Sequence, residues 1–239
     1  MAAAHSFPFA TLEQRIGKGG LVVIAPHPDD ESLACGGVLA AACEQGRPAR
    51  IIIVSDGAGS HPASKAYPKN RLRDLREDEA RQAARELGLD PNNDVVFLRL
   101  PDRFVPSEGP EAEKAVAKIL EVLKDVDAQA VFVSWRHDPH CDHQASYRIA
   151  RAVQRGFAGL RLYEYTVWGA ALPAETSVEP TNGFRLSIHQ TLGKKQRAIA
   201  AHRSQTTHLI TDDPNGFCLT AADLSRFDFP YECFFESDP

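Results

Sequence analysis

The sequence predicts an α/β fold: one mostly parallel sheet with helices on both faces, in a single domain. Three observations predict it. Apolar runs of strand length recur along the chain, segments of helical period stand between them, and the runs need not alternate polar with apolar because a strand covered on both faces is buried on both. Ile51-Ile52-Ile53-Val54 is the clearest such run. A chain of 239 residues is long enough for a full core and is read as one domain over 1–239, with its body at about 20–206 and a C-terminal segment packing back onto it.

Strands are expected at residues 21–25, 50–55, 95–100, 130–135 and 160–167, each rich in β-branched residues and bounded by turn formers. Helices are expected at 33–44, 71–87, 111–123 and 144–155, the second stopped by Gly88. After Gly169 the pattern weakens: 173–183 reads as a loop, 184–188 as a further strand and 193–202 as a further helix. The aromatic stretch 217–235 is expected to pack back, since so many exposed aromatic rings would be an unusual surface. Residues 56–70, with two glycines and two prolines just after a strand, read as a mobile loop over the carboxyl edge of the sheet.

Composition narrows the function. Hydrophobic residues at 43% and charged residues at 25% exclude a disordered, collagenous or disulfide-stapled chain. A net charge of −5 lacks the basic excess of a general nucleic-acid or anionic-membrane binder. The five cysteines never fall in a CxxC spacing, so neither a zinc ribbon nor a disulfide framework is suggested, and a cytoplasmic location fits best. No secretory leader is read at the start, and the longest apolar stretch, 33–43, is shorter than the roughly 18 residues of a membrane span. Nine histidines are the unusual feature of the composition.

Ligands of open α/β sheets bind beyond the carboxyl ends of the strands. Two such places are crowded with metal-type side chains: Pro26-His27-Pro28-Asp29-Asp30-Glu31, and Arg136-His137-Asp138-Pro139-His140-Cys141-Asp142-His143. Each runs directly into a helix, so imidazoles and carboxylates arrive at one end of the sheet from two loops, as in a mononuclear catalytic site with an open ligand position. Taken alone, Asp29, Asp30 and Glu31 are equally what a helix N-terminus favours, and Asp142 equally an N-cap. The prolines around His27 argue for more than a cap, because they stiffen the backbone that aims it. Arg76 can pair with Glu79 or Asp78 on its own helix, or reach a ligand. Trp135 can stack on a ligand ring or close the core, the latter being commoner. His202 reads as a packing or hydrogen-bonding residue, Cys141 as a bystander, and His5, His61, His189 and His208 as surface residues.

His27-Pro28-Asp29-Asp30-Glu31 after one strand, with His140-Cys141-Asp142-His143 after a later one, resembles the PIG-L / LmbE-like family of zinc-dependent N-acetylglucosaminyl deacetylases. Arg76-x-x-Glu79 leading to Leu87-Gly88, Leu100-Pro101-Asp102, and Lys195-x-x-Ala198 running to His202-Arg203-Ser204-Gln205 agree. The resemblance implies a Rossmann-like fold and a hydrolase that removes an N-acetyl group from an amino sugar or its conjugate. It implies His27, Asp30 and His143 as ligands of zinc, with iron or another divalent ion as the alternative, and Asp29 as general base. A protonated His140 would assist the oxyanion and return a proton to the amine, Asp142 would orient His140 or His143, and Arg76 and Asp102 would contact the sugar. Some relatives carry a tyrosine before the second motif, where this chain has His137-Asp138-Pro139. The partner implied is a small N-acyl amino sugar, with homo-oligomers left open.

Two rival readings remain. In a nucleotide-sugar glycosyltransferase Asp29 and Asp30 would hold a metal-diphosphate, and a binding protein or lapsed enzyme would keep the site for structure. A dinucleotide-binding dehydrogenase is weaker, since Cys35-Gly36-Gly37 is not the expected glycine-rich turn.

Overall fold

The computed structural model describes residues 2–172 and 182–237. The elements are β1 (Phe9–Ala10), α1 (Leu12–Ile16), β2 (Gly20–Ala25), α2 (Asp30–Glu44), β3 (Ala49–Ser55), α3 (Lys69–Leu87), β4 (Val95–Leu100), α4 (Pro110–Asp125), β5 (Ala128–Ser134) and α5 (Cys141–Gly156). They continue with β6 (Arg161–Tyr165), β7 (Gly183–Ser187), α6 (Leu192–Ala201), α7 (Arg203–Thr206), α8 (Ala221–Ser225) and β8 (Tyr231–Glu236). Among the described residues no helix is long and apolar enough to cross a membrane.

Among the described residues, eight strands join one sheet in the order β1-β7-β8-β6-β5-β2-β3-β4. Every pairing is parallel except those of β8, which runs antiparallel to β6 and β7. Side chains along the central strands alternate between two cores. Leu21, Val23, Ile51 and Ile53 pack with residues of α2 and α3, whereas Val22, Ile24, Ile52 and Val54 pack with residues of α4 and α5. Each buried side chain of this size is worth roughly 1.5–3 kcal/mol, which is why the runs are apolar at every position. From β2 the chain adds β3 and β4 on one side, then crosses to place β5 and β6 on the other. The carboxyl ends of β2 and β5 therefore flank the reversal of strand order, where such sheets form their crevice.

The expected strands and helices are present, with displaced ends. α2 starts at Asp30 and α5 at Cys141, three residues before the expected starts, so both motifs supply the first turn of a helix as well as the preceding loop. The aromatic C-terminal stretch does pack back, and its last part enters the sheet as β8. The loop expected at 173–183 lies outside the described residues up to residue 181.

The segment expected to be mobile is instead well tied down. Asp212 accepts from Ser64 Oγ and from the N–H groups of Lys65 and Ala66, Asp213 accepts from Ala63 N–H, and Asp102 accepts from Gly59 N–H. His61, expected at the surface, is buried in this clasp against Gly216, where a Cβ would come within 2.1 Å of its ring. The glycines and prolines serve a packed path and not a loose one.

Candidate active site

β2 ends at Ala25, and Pro26-His27-Pro28 carries the chain into α2. The turn closes on itself: His27 N–H donates to Asp30 Oδ2 at 3.0 Å, and Asp30 N–H donates back to the His27 carbonyl at 3.3 Å. Asp30 Oδ2 then lies 3.3 Å from His27 Nδ1 and 3.3 Å from His143 Nε2, which arrives on α5 from beyond β5. One carboxylate oxygen thus sits between imidazole nitrogens from two strand ends. Neighbouring ligands of one tetrahedral ion, bound at about 2.1 Å, stand about 3.4 Å apart. His143 is fully buried with neither ring nitrogen in a hydrogen bond, which is unusual for a buried polar group and fits a metal-ligating role. His27, His140 and His143 each bring a ligand nitrogen within 4.8 Å of the others, and with the Asp30 oxygen beside His27 and His143 the donors are of the mixed nitrogen and oxygen type that suits a zinc or iron ion.

Surrounding carboxylates set the ring orientations. Asp138, fully buried, lies 3.4 Å from His143 Nδ1 and accepts from the N–H groups of His140, Trp168 and Gly169. Asp142 lies 3.1 Å from His27 Nε2 and accepts from the N–H groups of Arg103 and Val105, and Asp102 Oδ1 is 3.3 Å from the same His27 nitrogen. Asp142 was expected to orient His140 or His143: its backbone N–H does hold His140, whereas its carboxylate serves His27, and Asp138 serves His143. Asp142 is not the helix cap. His140 occupies that position, and its Nδ1 accepts Asp142 N–H at 3.2 Å.

The electrostatics follow from this packing. Burial opposes the charge on Asp30, but His143 and His27 hold it well below the usual carboxylate range. Burial likewise works against a proton on His143, yet Asp30 and Asp138 push it up to about 9. Burial lowers His140, and the neighbouring His27 and His143 lower it further. With Nδ1 accepting the Asp142 backbone N–H, Nε2 is the ring nitrogen of His140 left to carry a donated proton.

Asp29 stands at the N-cap position of α2, but its side chain caps nothing. Its backbone is strained at φ 147°, in a region that disfavours side chains, and such strain gathers at functional sites. Its carboxylate lies 3.2 Å from Arg76 Nη2. Arg76 is fixed in turn by the Gly57 and Pro28 carbonyls, so it pairs with neither Glu79 nor Asp78. Burial pushes Asp29 up to about 7, with Arg76 restraining the rise. Asp29, Asp30, His27, His140, Arg76 and Asp102 line one cavity of about 260 Å³.

The structure does not bring Trp135 to this cavity. It is 2% exposed and stacks on Phe235 at 5.8 Å, closing a core behind the site. The aromatic wall is made by Trp168 and Phe217, packed edge to face at 5.6 Å. Sequence reasoning missed both, and also Asp138, whose one available signal was being an acidic residue beside Asp142 in the 136–143 segment. His202 fits the expectation: its Nε2 lies 2.9 Å from buried Glu31. Ser204 donates to Glu79, and Lys195 pairs with Glu232 at 2.8 Å. The weaker sequence marks thus pin α6 and α7 to the body beside the site.

Fold and site together define a class: an open α/β protein whose strand-order reversal holds a buried histidine–carboxylate centre with a second, strained carboxylate beside it. The family model for GlcNAc-PI de-N-acetylase (PIG-L) matches residues 22–154, more than half of the chain, and the protein belongs to this family. It is 26% identical over 197 residues to the probable N-acetyl-alpha-D-glucosaminyl L-malate deacetylase 2 of Bacillus cereus, covering 80% of this chain and 86% of the relative. It is 28% identical over 225 residues to 2'-N-acetylparomamine deacetylase of Streptomyces fradiae, covering 83% and 78%. The zinc-inhibited form of teicoplanin deacetylase Orf2 shares the fold, with a TM-score of 0.68 at 17% identity over 92% of this chain and 99% of that one.

Proposed function

We propose that the protein is a divalent-metal-dependent hydrolase that removes an N-acetyl group from an amino sugar or glucosaminyl conjugate. The observation that carries this reading is the Asp30 oxygen held between His27 and His143, with Asp29 beside it on the same cavity. His27, Asp30 and His143 would hold zinc or iron. When bound, such an ion polarises an amide carbonyl and makes water acidic enough to lose a proton near neutral pH.

The chain's own residues do the rest. Asp29, with a pKa near 7, takes the proton of the attacking water, because a general base works best when its pKa matches the operating pH. Arg76 holds that carboxylate in place and keeps it from turning away from the cavity. His140 directs its Nε2–H toward the oxygen on which negative charge grows, a donor in a site of low water content being worth about 3–4 kcal/mol to the transition state. The amine leaves with the proton that Asp29 took from the attacking water. Asp102 and Arg76 face the sugar hydroxyls. The glycosyltransferase alternative needs Asp29 and Asp30 both open to a metal-diphosphate, but two imidazoles enclose Asp30 and Arg76 engages Asp29. The five free cysteines agree with work in a reducing, cytoplasmic setting.

Acetate release from a panel of N-acetylglucosamine conjugates, with the metal content of the same sample measured, tests the reading. About one zinc or iron per chain and acetate from at least one conjugate are expected, and His27→Ala should lose both. Wild-type protein that hydrolyses the panel without metal, or carries metal and hydrolyses nothing, would overturn it.

A further inference from the structure

The backbone of Asp29 stands at φ 147° and ψ −31°, in a region that disfavours side chains, and a single movement would relieve it. Its φ depends on the orientation of the peptide unit before it, made of the Pro28 carbonyl and the Asp29 N–H. A flip of that unit leaves the flanking chain nearly in place and brings Asp29 to a negative φ like that of its helical neighbours. Both ends of the unit are held against the flip. Arg76 Nη2 donates to the Pro28 carbonyl at 2.7 Å, and the Asp29 N–H donates to Glu31 Oε2 at 3.0 Å. Turned over, the N–H would face a guanidinium, donor against donor, and the carbonyl would face a carboxylate, acceptor against acceptor. The next peptide unit is pinned as well, since the Asp29 carbonyl accepts from the N–H groups of Ser32 and Leu33 at 3.0 and 2.9 Å.

Glu31 can hold its end because it is itself locked from outside α2. Its Oε1 lies 2.9 Å from His202 Nε2 and accepts from Ser32 Oγ at 2.6 Å, which leaves Oε2 for the Asp29 amide. Glu31 and His202 are each 1% exposed. His202 stands at the corner between α6 and α7. Two residues on, Ser204 ties that corner to α3 by donating to Glu79 through both its N–H and its hydroxyl. The held peptide unit matters to the base because Arg76 Nη2 serves the Pro28 carbonyl and the Asp29 carboxylate together, at 2.7 and 3.2 Å. If the carbonyl turned away, the guanidinium would lose one of the contacts that place it, and the carboxylate would lose its place with it.

We propose that Glu31, locked by His202, is a positioning residue for the hydrolysis: it fixes the Pro28–Asp29 peptide unit, and through that unit Arg76 and the carboxylate of Asp29. The proposal rests on the reading of Asp29 as general base and adds the parts that hold the base still. The line of contacts runs from the α6–α7 corner through His202 and Glu31 to the strained residue itself.

The test measures kcat, KM and metal content for Glu31→Gln and Glu31→Met on one N-acetylglucosamine conjugate that wild type hydrolyses, together with a crystal structure of Glu31→Met. Methionine fills similar space without a carboxylate acceptor. Its kcat should fall about 10–100-fold, the loss that misplacing a reacting group brings, while KM stays within about twofold and metal content is unchanged. Glutamine still offers an oxygen to the Asp29 N–H, so Glu31→Gln should recover kcat to within about threefold of wild type. In the Glu31→Met crystal Asp29 should show a negative φ. The proposal is overturned by a Glu31→Met enzyme with wild-type kcat, by a loss that lies in KM or in metal content, by a Glu31→Gln enzyme no better than Glu31→Met, or by an Asp29 that keeps its φ. A part played in stability alone would lower the yield of folded enzyme and leave the kcat of the metal-loaded fraction unchanged.

Should Glu31→Met not fold, the Asp29 amide proton of wild type decides. Bonded to a buried carboxylate, it should resonate far downfield in an amide NMR spectrum and exchange slowly with heavy water, and a fast-exchanging amide would overturn the proposal. If wild type releases acetate from no conjugate, the deacetylase reading fails, and the hold of Glu31 on the peptide unit is then read from that amide signal and from the φ of Asp29 in Glu31→Met.

Discussion

An oxygen held between two imidazoles tolerates little displacement, so the residues that aim those rings matter nearly as much as the ligands. Asp138→Asn keeps the shape but removes the charge beside His143 Nδ1, and metal affinity should fall about 10–100-fold, measured by chelator competition, with activity recovering at saturating metal. Asp29→Asn is expected to keep metal while kcat drops about 10²–10⁴-fold, since it removes the base and leaves the ligand set intact. Metal content with steady-state kinetics checks this, and a loss of metal would show Asp29 to be structural. The candidate ligands were legible because chemistry crowded two corners at the ends of strands. The partner of each ring was not, because Asp138 in the loop and Asp142 on the first turn of α5 are only four residues apart and the fold alone decides which faces His143 and which faces His27.

At the scale of the element, α2 is the part most dependent on its neighbours. It is buried on nearly every side, and Glu232 of β8 accepts the N–H groups of Gly37 and Val38 at 2.9 Å each. A Cβ on Gly37 would come within 2.5 Å of Ile188, so Gly37→Ala should destabilise the protein by about 1–3 kcal/mol through overpacking, read from urea unfolding. Lys195→Met breaks the buried pair and leaves Glu232 charged and unmatched, with an expected loss of about 3–5 kcal/mol by the same measurement. None of this was legible in the sequence. The helix was expected to begin at Leu33, where the apolar pattern starts, just after Asp30, Glu31 and Ser32. They are buried by partners far along the chain, among them His202, which lies 171 positions from Glu31.

For the whole molecule, the mostly parallel sheet was readable from strand-length apolar runs, since two-sided burial leaves a direct trace in composition, whereas the strand order that sets its reversal point was not. The edge of the sheet was not, because β1 is two residues long and β8 carries a mixed pattern, Tyr231-Glu-Cys-Phe-Phe-Glu236, that resembles a packed tail. Because the candidate ligands come from α5 and from the β2–α2 corner, an ion joining them ties the two central crossovers together. Adding zinc or iron to metal-free protein at about 100 times Kd should therefore stabilise it by about 2.7 kcal/mol, seen as a rise in Tm. His27→Ala should show no such rise.

The place of β8 in the sheet also bears on how the protein is made. It is the last strand in chain order, yet it separates β6 from β7, and β7 in turn holds β1. A ribosome will have synthesised the residues of β1 long before β8 exists to complete the path that joins β7 to β6. The nascent chain can assemble β2 through β6 early, but one flank of the sheet must wait for the final strand, leaving the edge of β6 exposed in the interval. That edge is where a chaperone would be needed, and where premature pairing between two unfinished chains would begin.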